Sequence, residues 1–496
     1  MFEKILVANR GEIAKRIMDT CREMDIATVG IYSDVDRDSM HRFEATESIA
    51  LEGSESADSY LDMDKILNAA KKTGAQAIHP GYGFLSENAE FARRCENAGL
   101  VFIGPSASVI EELGDKTVAR EIMSNSGVPV IPGMSECSPD ANILIEQARE
   151  LGYPVLIKAA GGGGGKGMRV VDSEKEMLEA SRSASAEASA AFGNGNIYLE
   201  KYFQRPRHIE FQILADKYGN TVHLFERECS MQRRHQKIIE ETPSPALTPE
   251  LRKKMGEAAV TAAYASGYTN AGTVEFLLDR EGNFYFLEVN TRLQVEHPIT
   301  EMSTGIDIVR QQIRIAAGEE IGIAQEQIEP KGHAIECRIY AEDPERHFMP
   351  SPGKIQYFKE PSGPGIRNDC GVYSGFTVPM EYDPIISKLV VFAEDRDKAI
   401  NKMTKALKEY VILGLRTPIP YLLDVLNLDM FKKGETYTDF LENDFADWQA
   451  QARDVDFASL AYIVDEMVGQ GRQVQTQGVS EETFLSPFET LGNWWR

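Results

Sequence analysis

Five consecutive glycines, Gly161 to Gly165, followed by Lys166 and Gly167, constrain this chain more than any other feature. The run lies between two buried-strand patterns, one over 153–158 that ends in Lys158 and one over 168–171. Glycine lets backbone amides approach an oxyanion closely, so the arrangement reads as a loop that cradles phosphate. It is not a Walker A loop, because Gly167 stands where Ser or Thr must follow the lysine and the next segment has strand character. A flexible linker is the alternative, yet linkers are flanked by polar low-complexity sequence and this run is not. A mobile glycine flap also excludes water during phosphoryl transfer, so lid and clamp are expected in one segment.

A chain of 496 residues exceeds what one hydrophobic core organises, and several modules are expected. The first alternates strand and helix: a strand at 4–8, a helix at 12–24 with Ile13, Ile17, Cys21 and Met24 at helical spacing, and strands at 28–32, 77–79 and 101–103. This is the pattern of a doubly wound parallel sheet, expected over residues 1–113. It looks Rossmann-like, but Asn9-Arg10-Gly11-Glu12 lacks the three glycines a dinucleotide needs, so NAD is disfavoured. The loop from His79 to Asn88 follows a strand, where open α/β sheets place ligand-facing loops; a plain turn is the alternative.

Helical pattern returns at 115–125 and breaks at Gly127-Val128-Pro129. A small α/β module comes next, to about 204, then β-type alternation to about 446, then a polar tail with a Gln-rich stretch at 469–477. The expected fold class is α/β, α+β overall. The expected division is 1–113, a central region 114–334 containing a lid at 130–204, a mixed α/β region 335–446, and a tail 447–496.

A formal net charge of −24 argues against a broad nucleic-acid or anionic-membrane surface, so an anionic ligand must meet a local basic pocket. No apolar run is long enough to span a bilayer, and the opening residues reach Asn9-Arg10 too soon for a signal peptide, which makes cytoplasm the expected compartment. Six dispersed cysteines, with no CxxC pair, read as reduced and mostly buried thiols.

The segment 273–290 reads as a β-hairpin, two apolar alternating runs joined by Asp279-Arg280-Glu281-Gly282-Asn283. Strand periodicity puts Glu288 and Asn290 on one face, and pairing brings Glu275 within reach. Three hard oxygen donors suit Mg²⁺, which keeps water and nucleotide phosphate in its octahedron; a solvated sheet face with ordinary glutamates is the alternative. Arg292, Gln294 and Glu296 succeed Asn290 at two-residue spacing, so an extended chain would display metal ligand, cation, amide and carboxylate along one edge.

The run Glu288-Val289-Asn290-Thr291-Arg292-Leu293-Gln294-Val295-Glu296-His297-Pro298 resembles the signature of biotin carboxylases, the ATP-grasp components of acyl-CoA and pyruvate carboxylases. Residues 5–14, the His79-Pro80-Gly81-Tyr82-Gly83 loop, the glycine flap and Arg338 within 336–342 stand in that family's order, and the resemblance covers roughly 1–446. It implies an N-terminal biotin carboxylase domain, an ATP-grasp region with a mobile lid and a C-terminal biotin carboxylase domain.

By the same resemblance, Lys116, Lys158, Gly164, Gly165, Glu200, Lys201, Tyr202, Phe203, His208, Gln232 and His235 contact ATP, and Glu275, Glu288 and Asn290 hold Mg²⁺ or Mn²⁺. Lys237, Arg292, Gln294 and the Val295 backbone resemble the bicarbonate pocket, Glu296 the general base on bicarbonate, and Arg338 the cation that stabilises the biotin enolate. Bicarbonate is a poor electrophile, so ATP converts it to carboxyphosphate, and biotin captures the released CO2. No Ala-Met-Lys-Met biotin-attachment motif is present, which implies a separate biotin carboxyl carrier protein, a separate carboxyltransferase and, by family, a homodimer. Terminal Trp494-Trp495 suggests partner docking by the tail. The expected activity is the first half-reaction of acetyl-CoA or another acyl-CoA carboxylase. The same half-reaction in a pyruvate carboxylase, another ATP-grasp ligase and a non-catalytic nucleotide-binding module are the alternatives.

Overall fold

The computed structural model describes residues 1–134, 136–159, 168–234 and 236–450. The glycine flap with Gly164 and Gly165, His235, and the tail from 451 onward lie outside the described residues.

Five parallel strands, β1 (Lys4–Val7), β2 (Ala27–Tyr32), β3 (Glu47–Ala50), β4 (Ala77–His79) and β5 (Val101–Phe102), form a sheet in the order β3-β2-β1-β4-β5. The order reverses beside β1, and connections leaving in opposite directions open a crevice at the strand ends. The loops after β1 and β4 meet there, where Asn9 Nδ2 donates to the carbonyls of Pro80 and Tyr82, each at 2.7 Å. The helix Gly11–Glu23 buries Ile13, Ala14, Ile17, Met18 and Cys21. Part of that face packs on Leu214, Val222, Ile308 and Ile313, so the first unit shares a core with the central region.

A small antiparallel sheet contains β6 (Val155–Ala159), β7 (Arg169–Val171) and β8 (Ile197–Lys201) in the order β7-β6-β8. It has a core of its own, built from Leu144, Ala148, Val155, Ile157, Val171, Met177 and Leu199. Alternation sends Val155 and Ile157 into that core, buries Ala159 on the same face, and leaves Leu156 and Lys158 on the other.

The largest layer is an eight-stranded antiparallel sheet. It runs β13 (Phe284–Asn290), β12 (Asn270–Leu278), β9 (Arg207–Ala215), β10 (Thr221–Arg233), β11 (Gln236–Thr242), β14 (His333–Tyr340), then the strands Ile385–Ala393 and Ile366–Cys370. One face is apolar: Ile209, Phe211, Ile213, Val274 and Phe276 pack with Met255, Ala259 and Ala262 of the helix Pro249–Ala265. Further along, Ile335, Cys337, Leu389 and Val391 pack with the helices Arg396–Glu409 and Ile419–Asn427. The intervening residues Glu210, Gln212, Glu240, Glu336, Arg338 and Lys388 point to the opposite face, yet all are buried. The helix His297–Thr304 lies against β10, β11 and β14. The cysteines are free, five of them buried. Among the described residues no helix is long and apolar enough to cross a membrane.

Three buried imidazoles are neutral by geometry. Nδ1 of His41, His79 and His223 accepts the backbone N–H of Gly11, Gly81 and Phe225 at 3.2, 3.1 and 3.3 Å. Burial is the leading cause that lowers their pKa values to about 4, about 3 and about 4 respectively. The unfolded chain therefore binds more protons below its histidine range near 6.5, and the stability these rings contribute is full above that pH and lost as pH falls toward 4. Buried carboxyls held above their usual range, Glu12, Glu240 and Glu336, act in the opposite sense over the same window, so a ring is read by difference. Between pH 7.5 and 4.5 the thermal midpoint of His223→Gln should fall less than that of the unaltered protein, a gap of up to roughly 1.4 kcal/mol per pH unit. Calorimetric scans of both proteins between pH 7.5 and 4.5 check this, and a pH dependence that the substitution leaves unchanged would contradict it.

Candidate active site

The polar face of the large sheet floors a cleft of about 1090 Å³, walled by the small sheet on one side and the loops after β1 and β4 on the other. One end is apolar, lined by Ile131, Leu156, Leu277 and Leu287 beside Phe203, whose ring stacks on Tyr285 at 4.7 Å. Leu287 reaches the cleft through a bulge: Glu275 pairs with Glu288 and Phe276 with Phe286, which leaves Leu287 as the extra residue. The cations next to this end are Lys116, 3.6 Å from Glu288, and Lys158, whose ammonium meets Glu200 at 2.5 Å. Arg120 approaches the other Glu200 oxygen at 3.4 Å. Lys201 turns its ammonium to the Gly152 carbonyl at 2.7 Å, tying β8 to the start of β6.

The expected hairpin forms, and the bulge at Leu287 sets its register. Glu275 is opposite Glu288 and Thr273 opposite Asn290, which places all four side chains on the cleft face. Glu275 accepts from Lys237 at 3.0 Å and Gln294 at 3.1 Å through one oxygen and meets His208 at 3.0 Å through the other. Burial opposes ionisation of Glu275, but Lys237 and His208 outweigh it and hold its carboxyl far below the usual range.

The extended strip expected beyond Asn290 is not formed. The chain leaves the strand at Thr291, drops Leu293 into the core with no exposed surface, and enters the helix His297–Thr304 with Glu296 at its N-cap. Pro298, in the first helical turn, favours that start, and burial of Leu293 pulls the loop inward. Arg292, Gln294 and Glu296 still converge, through partners distant in sequence. Arg292 bonds Glu87 at 2.8 Å, Gln294 at 2.7 Å and Asn290 at 2.9 Å.

Glu296 has no exposed surface. One oxygen accepts from Lys237 at 2.6 Å and the other from Arg338 Nη2 at 3.0 Å. Burial raises its pKa, but Lys237, Arg338 and Arg227 overcome that and hold it well below the ordinary value, so the group is a carboxylate at neutral pH. Burial pulls Lys237 the other way, and Glu210, Glu275 and Glu296 outweigh it, so the ammonium stays charged. A bulge aims Lys237: Met231 pairs with Ile239 and Gln232 with Lys237, and the extra residue Ile238 turns Lys237 onto the polar face.

Arg227, absent from the sequence-based assignment, anchors this floor. It is fully buried and bonds Glu210 at 2.5 Å, Gln212 at 2.9 Å, and Thr300 and Thr273 at 3.0 Å each. Glu210, Glu240 and Lys388 were missed with it. The available signal was charge at alternate positions inside strand-like runs, as in Arg207-His208-Ile209-Glu210-Phe211-Gln212.

Among the described residues, two donor groups come within 4.8 Å, His208 with Glu210 and Glu275, and Glu210 with Cys229 and Glu296. Both are occupied by ion pairs to Lys237, and Glu210 also meets Arg227, so neither suits a resident cation. Glu288, a hard carboxylate half exposed on the cleft face, fits Mg²⁺ better, and Glu275 opposite it would join where the ion gives its carboxylate a further positive partner beside Lys237 and His208. Asn290 would join them on release of its Oδ1 by Arg292, and its buried Nδ2 has no partner among the described residues that would resist the turn.

Residues 1–110 match the biotin carboxylase N-terminal domain, 115–324 the ATP-binding domain of the carbamoyl-phosphate synthase L chain, and 336–443 the biotin carboxylase C-terminal domain. A pyruvate carboxylase subunit of Methanothermobacter thermautotrophicus is 52% identical over 89% of this chain and 90% of that protein. Biotin carboxylase 1 of Bacillus subtilis is 51% identical over 89% of this chain and 98% of that protein. The biotin carboxylase domain of Hydrogenobacter thermophilus 2-oxoglutarate carboxylase, solved as a dimer with MgADP, ADP and bicarbonate, aligns with a TM-score of 0.86 at 47% identity, covering 90% of this chain and 99% of that one. The chain belongs to the biotin carboxylase family.

In this biotin carboxylase the described residues assigned from sequence all line one cleft. Lys116, Lys158, Glu200, Lys201, Tyr202, Phe203, His208 and Gln232 stand with Lys237, Glu275, Glu288, Asn290, Arg292, Gln294, Val295, Glu296 and Arg338. Breaking a buried ion pair strands the remaining charge, so Arg227→Leu should lower unfolding stability by about 3–5 kcal/mol. Urea titration checks this, and a loss below about 1 kcal/mol, the range of an exposed pair, would contradict the anchoring role.

Proposed function

We propose that the chain carboxylates biotin on a separate carrier protein, using ATP, Mg²⁺ and bicarbonate, as the first half-reaction of an acyl-CoA carboxylase, with acetyl-CoA the acceptor of the whole complex. The observation that carries this reading is a buried, ionised Glu296 held between Lys237 and Arg338 in the same cleft as an apolar end and a carboxylate hairpin.

The apolar end takes the purine, with Phe203 and Leu287 excluding water from it. Lys116 and Lys158 meet phosphate charge. Glu275, Glu288 and Asn290 would hold Mg²⁺ or Mn²⁺, which supplies charge neutralisation to the phosphates when bound. Lys237, Arg292, Gln294 and the Val295 backbone hold bicarbonate. Glu296 takes its proton, and the bicarbonate oxygen attacks the γ-phosphate of ATP to give carboxyphosphate and ADP. Carboxyphosphate breaks into CO2 and phosphate, the phosphate takes the ureido N–H proton of biotin, and the nitrogen forms its bond to CO2 while Arg338 stabilises the ureido anion.

The small sheet, with its own core, supports a lid at 130–204 that carries Lys158 and Glu200 over the nucleotide. We assign 1–113, 114–334 and 335–446 as the N-terminal, ATP-grasp and C-terminal biotin carboxylase domains. A biotin carboxyl carrier protein and a carboxyltransferase are the proposed partners, homodimer the proposed assembly and cytoplasm the proposed compartment. The name of the Methanothermobacter relative favours a second reading, the same half-reaction serving a pyruvate carboxylase.

Purified chain with Mg²⁺-ATP and bicarbonate should hydrolyse ATP faster when free biotin is added. Glu296→Gln should reduce that stimulated rate by roughly 10²–10⁴-fold, the range for loss of a general base, while nucleotide binding persists. Absence of biotin stimulation in the unaltered protein would overturn the assignment.

A further inference from the structure

β11 and β14 pair with Glu240 directly opposite Glu336. Opposed residues in an antiparallel pair present their side chains to the same face, here the face that carries Arg338 and, across from it, Lys388. Both carboxyls are fully buried. Glu240 accepts from Arg338 Nε at 2.6 Å through one oxygen. Its other oxygen and both oxygens of Glu336 have no hydrogen-bond partner among the described residues. The charged groups that face the pair are Arg338 on β14, Lys237 on β11, Lys388 on the strand Ile385–Ala393, and Glu296 at the helix that covers them. Arg338 is already committed to Glu240 and Glu296, and Lys388 to Glu12 at 3.1 Å and the Val295 carbonyl at 3.2 Å. Among the described residues no cation forms an ion pair with Glu336, and the pull of Lys388 and Arg338 from further off does not offset its burial.

Two carboxylates opposed inside a sheet, with one cation shared elsewhere, do not both ionise. We propose that Glu240 and Glu336 share a single proton, resident on Glu336, and act as a positioning pair that keeps Arg338 electropositive toward the cleft. Burial and the mutual repulsion of the pair act in the same direction, pushing Glu336 well above the usual carboxylate range and Glu240 up to about 7. With the proton in place, Arg338 faces two carboxylates, Glu240 and Glu296. Without it, a third negative charge enters the same low-dielectric region and cancels more of the field that Arg338 offers to substrate.

The functional half of this inference rests on the proposed role of Arg338, whereas the shared proton does not. A raised acid binds its proton more tightly in the folded state, so Glu336 costs stability progressively as pH rises above about 4.5. Glu336→Gln mimics the protonated carboxyl. Its thermal midpoint should exceed that of the unaltered protein by a margin that widens with pH, and it should lack one protonated-carboxyl C=O band present in the infrared spectrum of the unaltered protein at pH 7. Biotin-stimulated turnover should persist at pH 7, with its alkaline decline moved to higher pH. Glu240→Gln, which removes the partner charge, should lower the pH at which the same band disappears. A spectrum in which Glu336→Gln removes no such band, or a stability margin that does not depend on pH, overturns the shared proton. An unchanged alkaline limb alongside a lost band overturns the action through Arg338. If biotin stimulation is missing from the unaltered protein while the band and the stability margin behave as stated, the functional assignment fails and the proton pair stands.

Discussion

The carboxylate of Glu296 lies in the protein interior and remains charged, and much of the surrounding structure serves that condition. An isolated carboxylate taken out of water neutralises itself by binding a proton. Here Lys237 and Arg338 grip the two oxygens separately, and Arg227 adds positive charge from below. Each cation is itself buried and needs anions in turn. Glu210 serves Arg227 and Lys237, and Glu240 serves Arg338. The polar face of the large sheet is therefore a lattice of opposite charges in which removal of one member strands its neighbours.

That lattice extends beyond the cleft. Lys388, with no exposed surface, joins Glu12 after the first strand to the Val295 carbonyl beside Glu296. Burial pushes Glu12 up to about 7 against the pull of Lys388. Arg16 on the first long helix and Arg367 at the sheet edge both hold Glu301 in the helix that Glu296 caps. The parallel-sheet unit is thus fastened to the loop that carries Glu296 by charge as well as by the shared apolar core around Ile13 and Ile308.

Two β-bulges set the chemistry of the floor. One turns Lys237 onto the polar face and the other gives Leu287 to the apolar end. Strict alternation would have sent Lys237 to the face of Ile239, away from Glu296. A bulge shifts the side-chain period by one residue, and single-chain alternation carries no mark of it.

The amino-acid order alone determined the parallel βαβ unit, the hairpin that brings Glu275 near Glu288, and the residue types of the site. Those follow from side-chain period and turn chemistry, which act between near neighbours in the chain. It did not determine the path after Asn290, where burial of Leu293 and the helix start at Pro298 replaced an extended strip. Nor did it determine the company of Glu296, whose partners lie 59 and 42 residues away. Charge pairing in a low-dielectric interior depends on which strands become neighbours, and only the folded sheet fixes that.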